Sequence, residues 1–454
     1  MWFLGIDIGT THIKVVGVTE DDQALAPLRV RTPVTRADGH DFHDGQHVWL
    51  AVKSLVEEYA GGIASGAGQL GGLSIATFGQ EEAFPVDRTG NPTFASLAWW
   101  EQWPEMSLSP ALLRNFDSSA HYAISGVRFR SNQTPERIAH LQSRERRVWR
   151  DTFRWVDFGS FVAWKLTGMW ATSVTQISHS QLFNVATAEA DAPSFEAMRL
   201  VPELFPPVAA VGSPLGEVRP DVLDGVRLAD STMVFVGGHD QVFAAYTSAL
   251  TTGAAIIDSI GTAEYLMVIT DSMRTDEVFY AAGVEVEAGW MPGQYVVGWG
   301  IPTGKIFQCV ATLFFDGDFE SLLAAIGEPS DGDEPAAGVR LNDLRGESGL
   351  LSLDNITAAA TPASIAQQVA DQIARDTRSI VATVTGTTNT RFDRIAITGS
   401  LFQRPEMVSH RERFWDVPLQ LNPIDEAVAT GAALLARDAH SESVSSSSFR
   451  TVDS

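Results

Sequence analysis

Residues 3–18 read FLGIDIGTTHIKVVGV, and this stretch sets the expectation for the fold. Phe3 to Asp7 is a short apolar strand, Ile8 to Thr11 is a turn that contains a glycine, and His12 to Val18 alternates as a second strand. The chain is therefore predicted to open with a β-hairpin whose turn carries a carboxylate at its start and two hydroxyl groups at its tip.

The same pattern returns in the second half of the chain. Ala254 to Asp258 is a predicted strand, Ser259-Ile260-Gly261-Thr262 is a turn, and Ala263 to Ile269 is the next strand. Between and after the two hairpins, helical and strand patterns alternate, which indicates mixed α/β sheets. One such hairpin in each half of the sequence indicates a duplicated domain with a cleft between its halves.

We expect an α/β protein of two domains, because 454 residues exceed the length at which a single core stops growing. The first domain is predicted to span residues 1–232 and the second residues 233–440. A hinge is expected in the stretch 212–231, which contains Pro, Gly and Asp. The Ser-rich end, residues 441–454, is predicted to be disordered.

Composition and charge exclude several classes of function. A formal net charge of −24 argues against a nucleic-acid partner, because a phosphate backbone would be repelled. No apolar run reaches the roughly 20 residues that span a bilayer, and the start of the chain has no basic segment of the kind that precedes export. With a single cysteine, Cys309, no internal disulfide is possible, so a cytoplasmic location is expected. Its apolar surroundings predict a buried thiol.

The first hairpin turn has the groups that phosphate binding requires. A glycine lets backbone N–H groups approach phosphate oxygens, Thr10 and Thr11 add hydroxyl donors, and Lys14 supplies a positive charge. Asp7 is placed to hold Mg²⁺ directly or through water. The alternative is an ordinary hairpin whose aspartate caps a turn, and the second copy of the turn favours the functional interpretation.

A second candidate follows a later strand, where the sequence reads Gly237-Gly238-His239-Asp240-Gln241. The two glycines permit a tight strand exit, and Asp240 then stands at a strand-to-helix junction facing the expected cleft. An aspartate there can accept the proton of a sugar hydroxyl, which is a poor nucleophile. From spacing alone, a helix cap is an equal alternative.

Other polar groups follow the strand that ends near Thr77. Gln80-Glu81-Glu82 are candidates for contacts with sugar hydroxyls, with an exposed turn as the alternative. Trp99 to Trp103 are interpreted mainly as packing residues, with one or two cleft contacts. His40, His43 and His47 are interpreted as an ordinary loop rather than a metal site, because no well-placed carboxylate set accompanies them.

Taken in order, these segments resemble the FGGY carbohydrate kinases, which include glycerol, xylulose, gluconate, fucose and ribulose kinases. The resemblance runs from about Trp2 to Arg437. It rests on five motifs: Gly5-Ile6-Asp7-Ile8-Gly9-Thr10-Thr11 with Lys14, Gly238-His239-Asp240, Ser259-Ile260-Gly261-Thr262-Ala263-Glu264, Ile397-Thr398-Gly399-Ser400, and Asp425-Glu426-Ala427 with Gly431-Ala432-Ala433.

The resemblance implies Mg-ATP, a two-domain actin-like ATPase fold of the ribonuclease H kind, and in-line transfer of the γ-phosphoryl group to a small sugar or polyol. It implies Asp240 as general base, with Asp7 as the metal residue. Thr10, Thr11 and Lys14 would hold the phosphates from one side and Gly261 and Thr262 from the other, and Gly399 and Ser400 would border the adenosine. The implied substrate contacts are Gln80, Glu82, Glu101 and Gln241.

The chain departs from the family pattern around the substrate. Glu81-Glu82 replace the family's Met-His or Arg-Glu, and Trp99-Trp100-Glu101-Gln102-Trp103 replaces Trp-x-Asp-x-Arg. Leu401-Phe402-Gln403 stand where the family has a glycine run. An acidic pocket favours a neutral polyol or ketose over an acidic or phosphorylated sugar.

An inactive sugar sensor is the main alternative to a kinase; a chaperone or filament protein and a sugar-responsive repressor are weaker ones. A homodimer is compatible with the sequence.

Overall fold

The computed structural model describes residues 1–131, 133–328, 339–342 and 352–448. Its strands, numbered in chain order, are β1 (Trp2–Ile8), β2 (His12–Thr19), β3 (Leu28–Arg31), β4 (Thr35–Ala37), β5 (His40–His43), β6 (Leu70–Thr77), β7 (Phe84–Val86), β8 (Ser96–Leu97), β9 (Arg154–Val156), β10 (Thr172–Ser173), β11 (Val208–Ala209), β12 (Pro214–Glu217), β13 (Leu228–His239), β14 (Ile256–Ile260), β15 (Glu264–Thr270), β16 (Glu285–Ala288), β17 (Tyr295–Ile301), β18 (Arg340–Asn342), β19 (Ser352–Asp354), β20 (Ile395–Thr398) and β21 (Leu419–Leu421).

The helices are α1 (Gly45–Gly61), α2 (Pro110–Phe116), α3 (Ser119–Ser125), α4 (Thr134–Ser143), α5 (Arg146–Asp151), α6 (Phe158–Thr167), α7 (Val174–Ser178), α8 (Ala192–Met198), α9 (Asp240–Thr252), α10 (Glu277–Ala282), α11 (Thr303–Phe314), α12 (Phe319–Gly327), α13 (Pro362–Thr388), α14 (Pro405–Glu412) and α15 (Ala427–Ser448). Several begin at the caps that the sequence offers. Asp44, for example, accepts hydrogen bonds from the N–H groups of Gln46 and His47 at the start of α1.

Two six-stranded sheets form the frame of the molecule, and they share one arrangement. The first has the order β12-β13-β6-β1-β2-β3, and the second has the order β16-β17-β15-β14-β20-β21. In each, an antiparallel hairpin (β1-β2 or β14-β15) lies beside two parallel strands (β6 and β13, or β20 and β21). The two halves inferred from the repeated hairpin are therefore present in the structure. A separate hydrophobic cluster fills each half.

The predicted boundary at residues 232/233 needs correction. It cuts through β13, which pairs in parallel with β6 between Leu228 and His239, with two interruptions of the register, and belongs to the first sheet. The stretch 212–231, expected to be a hinge, contains β12, which pairs antiparallel with β13 in that same sheet. The composition of this segment reflects tight turns at the sheet edge. The polypeptide leaves the first sheet only after His239.

The end of the chain also differs from expectation. Helix α15 continues to Ser448, beyond the predicted start of disorder at 441, and residues 449–454 lie outside the described residues. Ser441 and Ser443 donate hydrogen bonds back to the carbonyl groups of Arg437 and His440, so both hydroxyl groups are satisfied within the helix. α15 packs on β1, β2 and β6, and the last helix thus completes the first sheet.

Cys309 is exposed on α11, which corrects the prediction of a buried thiol. The helix buries Ile306, Phe307 and Val310. Cys309 lies off that buried face, because helical periodicity places only part of an apolar run against the core. None of the helices in the described ranges combines the length and the apolar character that crossing a membrane requires.

Candidate active site

Three neighbouring parallel strands bring Asp7 and Asp240 to the same edge of the first sheet. Asp7 on β1 pairs with Ala76 on β6, and Ala76 pairs with Gly238 on β13. Asp240 follows two residues later, as the first residue of α9. Because the carboxyl ends of parallel strands meet at one edge, both aspartates stand there, and Asp240 is close enough to raise the pKa of Asp7.

Asp7 is a buried carboxylate beside one cation. Lys14 Nζ lies 3.4 Å from Asp7 Oδ2 and 2.9 Å from Glu426 Oε2. Burial raises the pKa of Asp7 to about 7, and Lys14 offsets only part of that effect. The buried Oδ1 atom has no hydrogen-bond partner. A carboxylate oxygen in this state fits a Mg²⁺ site, because a divalent cation favours the ionised form.

Close packing explains the two glycines before the base candidate. A Cβ atom at Gly237 would stand 1.9 Å from the carbonyl oxygen of Ile75, and one at Gly238 would stand 2.2 Å from Thr175 Oγ1. The strand end is therefore pressed against β6 and α7, which fixes where α9 begins. The side chain of Asp240 is 19% exposed. Burial raises its pKa, with His239 acting in the opposite direction and Glu81 adding to the rise.

The structure brings the second hairpin turn and the predicted adenosine segment together. A Cβ atom on Gly261 would meet only Ser400 Oγ, at 3.8 Å, so the turn opens onto free space. Gly399 has φ +92° and lies against the carbonyl of Ile260, a conformation and a contact that favour glycine. Thr262 is exposed beside this opening.

The first hairpin turn is closed by a hydrogen bond between backbone groups. The N–H of Gly9 donates to the carbonyl of His12 at 3.1 Å. Thr10 is half-buried and Thr11 is exposed at the tip. Lys14, on β2 directly opposite Asp7, is held between two carboxylates.

Two of the predicted substrate residues face inward instead. Glu82 is fully buried, where it pairs with His43 and accepts the N–H of Trp99 at 3.0 Å. Gln80 is 1% exposed and lies 3.5 Å from Asp157 Oδ2. Both side chains therefore support the loop around the site.

The other two predicted substrate residues are half-buried. Glu101 is paired with His40 Nδ1 at 2.9 Å. Gln241 follows Asp240 at the start of α9.

Sequence reasoning missed a cluster of charged side chains beside Asp240. Glu81 lies 3.0 Å from His179 Nδ1, and burial, which alone would raise the pKa of Glu81, is outweighed by His179, so that this pKa falls to about 2. Glu285 and Glu287 on β16 face the same cluster, and Arg130 lies 2.6 Å from Glu285. The available signal was the alternation of glutamates around Val286 in a buried strand, which places both on one face.

The profile of the FGGY family of carbohydrate kinases, N-terminal domain, matches residues 2–247, which is more than half of the chain. The chain belongs to the FGGY family of carbohydrate kinases. L-fuculokinase from Salmonella typhi is 24% identical over 301 residues, or 65% of this chain and 62% of that protein. L-fuculokinase from Escherichia coli (strain K12) is 23% identical over 382 residues, or 78% of each chain.

Solved structures of FGGY kinases confirm the predicted two-domain actin-like ATPase fold. The xylulose kinase from Rhodospirillum rubrum aligns with a TM-score of 0.83 at 16% identity, over 97% of this chain and 91% of that one. FGGY kinases use ATP and Mg²⁺. The unpartnered Oδ1 of Asp7 fits a metal ion, and the open space at Gly261 leaves room for phosphate groups.

Proposed function

We propose that this FGGY kinase transfers the γ-phosphoryl group of ATP to a hydroxyl group of a small neutral sugar or polyol, with Asp240 as general base. One observation carries the proposal: Asp240 is partly exposed at the same sheet edge as Asp7, with Glu81 and His179 beside it. A base, a metal residue and hydroxyl-binding groups thus meet at one place, as phosphoryl transfer to an alcohol requires.

Asp240 accepts the proton of the attacking hydroxyl as its oxygen bonds to the γ-phosphorus. The bond between that phosphorus and the β–γ bridging oxygen breaks, and ADP leaves with the electron pair. The pKa of Asp240 is raised by burial, which strengthens it as a base. Asp7 would hold Mg²⁺, which would supply positive charge to the phosphate oxygens.

The nucleotide would lie between the two hairpin turns. Thr10, Thr11 and Lys14 would contact the phosphates from the first turn, and Gly261 and Thr262 from the second. Gly399 and Ser400 would border the adenosine, since Ser400 Oγ lies beside the free face of Gly261. Closure of the cleft would exclude water and limit hydrolysis of ATP.

The charges around Asp240 support a neutral substrate. Glu81, Glu285 and Glu287 lie near the base, where carboxylate oxygens accept hydrogen bonds from hydroxyl groups. The nearby cations Arg130, His179 and His239 are paired with these carboxylates rather than placed for an anionic sugar. Glu81 replaces Glu82 as the glutamate placed for substrate contact, because Glu82 is fully buried. Several relatives are named L-fuculokinase, so L-fuculose is the first compound to test.

A coupled assay of ADP release against ketoses, aldoses, polyols and sugar acids tests the proposal. Asp240→Asn should keep the fold and ATP binding but lower kcat by ~10² or more. Asp230→Asn, an exposed change of the same chemistry, serves as the matched control and should leave turnover unchanged. Near-normal turnover in Asp240→Asn would remove Asp240 as the base. Binding of sugar without turnover of any compound would favour the inactive sensor.

A further inference from the structure

His239 lies between two carboxylates, that of Asp240 at the start of α9 and that of Glu287 on β16 of the second sheet. Its Nδ1–H donates to Glu287 Oε2 at 2.6 Å, and its Nε2 lies 3.4 Å from Asp240 Oδ1. Glu287 belongs to β16 of the second sheet, whereas His239 ends β13 of the first. His239 and Glu287 are 5% and 2% exposed, so water screens this contact little.

The backbone on both sides of this contact is held in place. The N–H of His239 donates to Thr175 Oγ1 at 3.0 Å, which fixes the end of β13. On β16, the N–H of Val286 donates to the carbonyl of Gly126 at 2.8 Å, and the N–H of Ala288 donates to Ser178 Oγ at 3.2 Å. Glu287 lies between these two links, so its position relative to the first half of the molecule is fixed.

The charges around His239 favour the protonated form of its ring. Burial alone would lower the pKa of His239, but Glu287 and Asp240 outweigh burial and raise it above 6.5. His179, stacked on the ring at 5.1 Å, acts against this rise, while Glu81 faces the pair from the other side. With a proton on each nitrogen, the ring presents an N–H to Asp240 and another to Glu287.

We propose that His239 is a positioning residue for Asp240, and that Glu287 fixes the ring of His239 so that the base is correctly oriented only while β16 lies against the first half. The proposal rests on Asp240 being the base. It adds that the orientation of the base depends on the contact between the two halves of the molecule. Glu287 acts only through His239.

A bound cation is the competing use of the same glutamate. Donor atoms of His179, Glu285 and Glu287 lie within 4.8 Å of one another. Arg130 lies 2.6 Å from Glu285 and His239 lies 2.6 Å from Glu287, so protein cations already neutralise these carboxylates. Ion pairing therefore accounts for the cluster, and metal analysis of the purified protein is one arm of the test.

The experiment compares His239→Asn, Glu287→Gln and the double variant under saturating ATP, across pH. Each single change should lower kcat by about tenfold near neutral pH, equal to ~1.4 kcal/mol on the barrier, with KM for the sugar within about twofold. Loss of the imidazolium removes a charge that lowers the pKa of Asp240, so the acid limb of the kcat profile should move to higher pH in His239→Asn. The double variant should be no slower than His239→Asn alone. Glu287→Asp, which keeps the charge, should recover part of the rate.

Three comparisons complete the design. Glu285→Gln removes the other carboxylate on the same face of β16, which is paired with Arg130 and faces His179, so its effect should add to that of His239→Asn. Thermal melts and ATP binding identify any variant that fails to fold. Asp240→Asn tests the base itself: normal turnover there refutes the proposed base, whatever the other variants do.

Three results would overturn the positioning role while leaving the base intact. The first is wild-type kinetics in Glu287→Gln. The second is a double variant in which the two effects simply add. The third is a stoichiometric metal ion bound by the wild-type protein and lost in Glu287→Gln.

Discussion

At the scale of single residues, a substitution at Gly261 should affect nucleotide binding without affecting folding. An alanine methyl there would contact only Ser400 Oγ, at 3.8 Å, and the backbone does not have a positive φ, so the protein itself tolerates the side chain. If phosphates lie against this turn, the methyl group occupies their space. Gly261→Ala should therefore raise KM for ATP by about tenfold, a loss of ~1.4 kcal/mol, with Tm and the KM for the sugar unchanged. Steady-state kinetics with each substrate varied in turn measures the effect. Gly66→Ala, at a surface turn with nothing within 4 Å, is the matched control and should change neither KM. An unchanged KM for ATP in Gly261→Ala would place the phosphates elsewhere.

At the scale of elements, short sequence patterns predicted the elements whose formation depends on neighbouring residues. The hairpin of β1 and β2 matches the structure because its turn and alternation signals lie within the segment itself. Asp240 was predicted as a candidate base for the same reason. The partners of that base were not, since Glu287 and His179 reach it from β16 and from the end of α7, and no short-range pattern encodes such distant contacts.

The contact of α15 with β1 gives the prediction at this scale. A Cβ atom at Gly5 would stand 1.8 Å from the carbonyl oxygen of Ala429, and backbone atoms of a packed helix cannot move aside cheaply. Gly5→Ala should lower the free energy of unfolding by about 3 kcal/mol, measured by urea titration. Gly386→Ala, within α13 and open to solvent, should instead stabilise the protein by roughly 0.5–1 kcal/mol. Equal stability of the two variants would contradict the close packing of α15 on β1.

At the scale of the whole molecule, the last helix of the chain packs on the sheet that the first residues form. The last helix, α15, covers β1, β2 and β6 of the first sheet and packs against α9, after the chain has completed the second sheet. The alanines 429, 432, 433 and 436 on its inner face are fully buried. A chain that ends at Asp425 therefore lacks one wall of the first core, although the whole of residues 2–247 is present.

We expect such a truncated chain to lose the cooperative unfolding transition of the first half, because its exposed sheet face buries too little apolar surface to offset the conformational entropy of folding. Differential scanning calorimetry together with limited proteolysis measures this. A chain ending at Ser441 keeps all four buried alanines and should melt like the full-length protein. If the chain ending at Asp425 kept a native transition and bound sugar, the first half would fold without α15, and the helix would serve only to hold the two halves together.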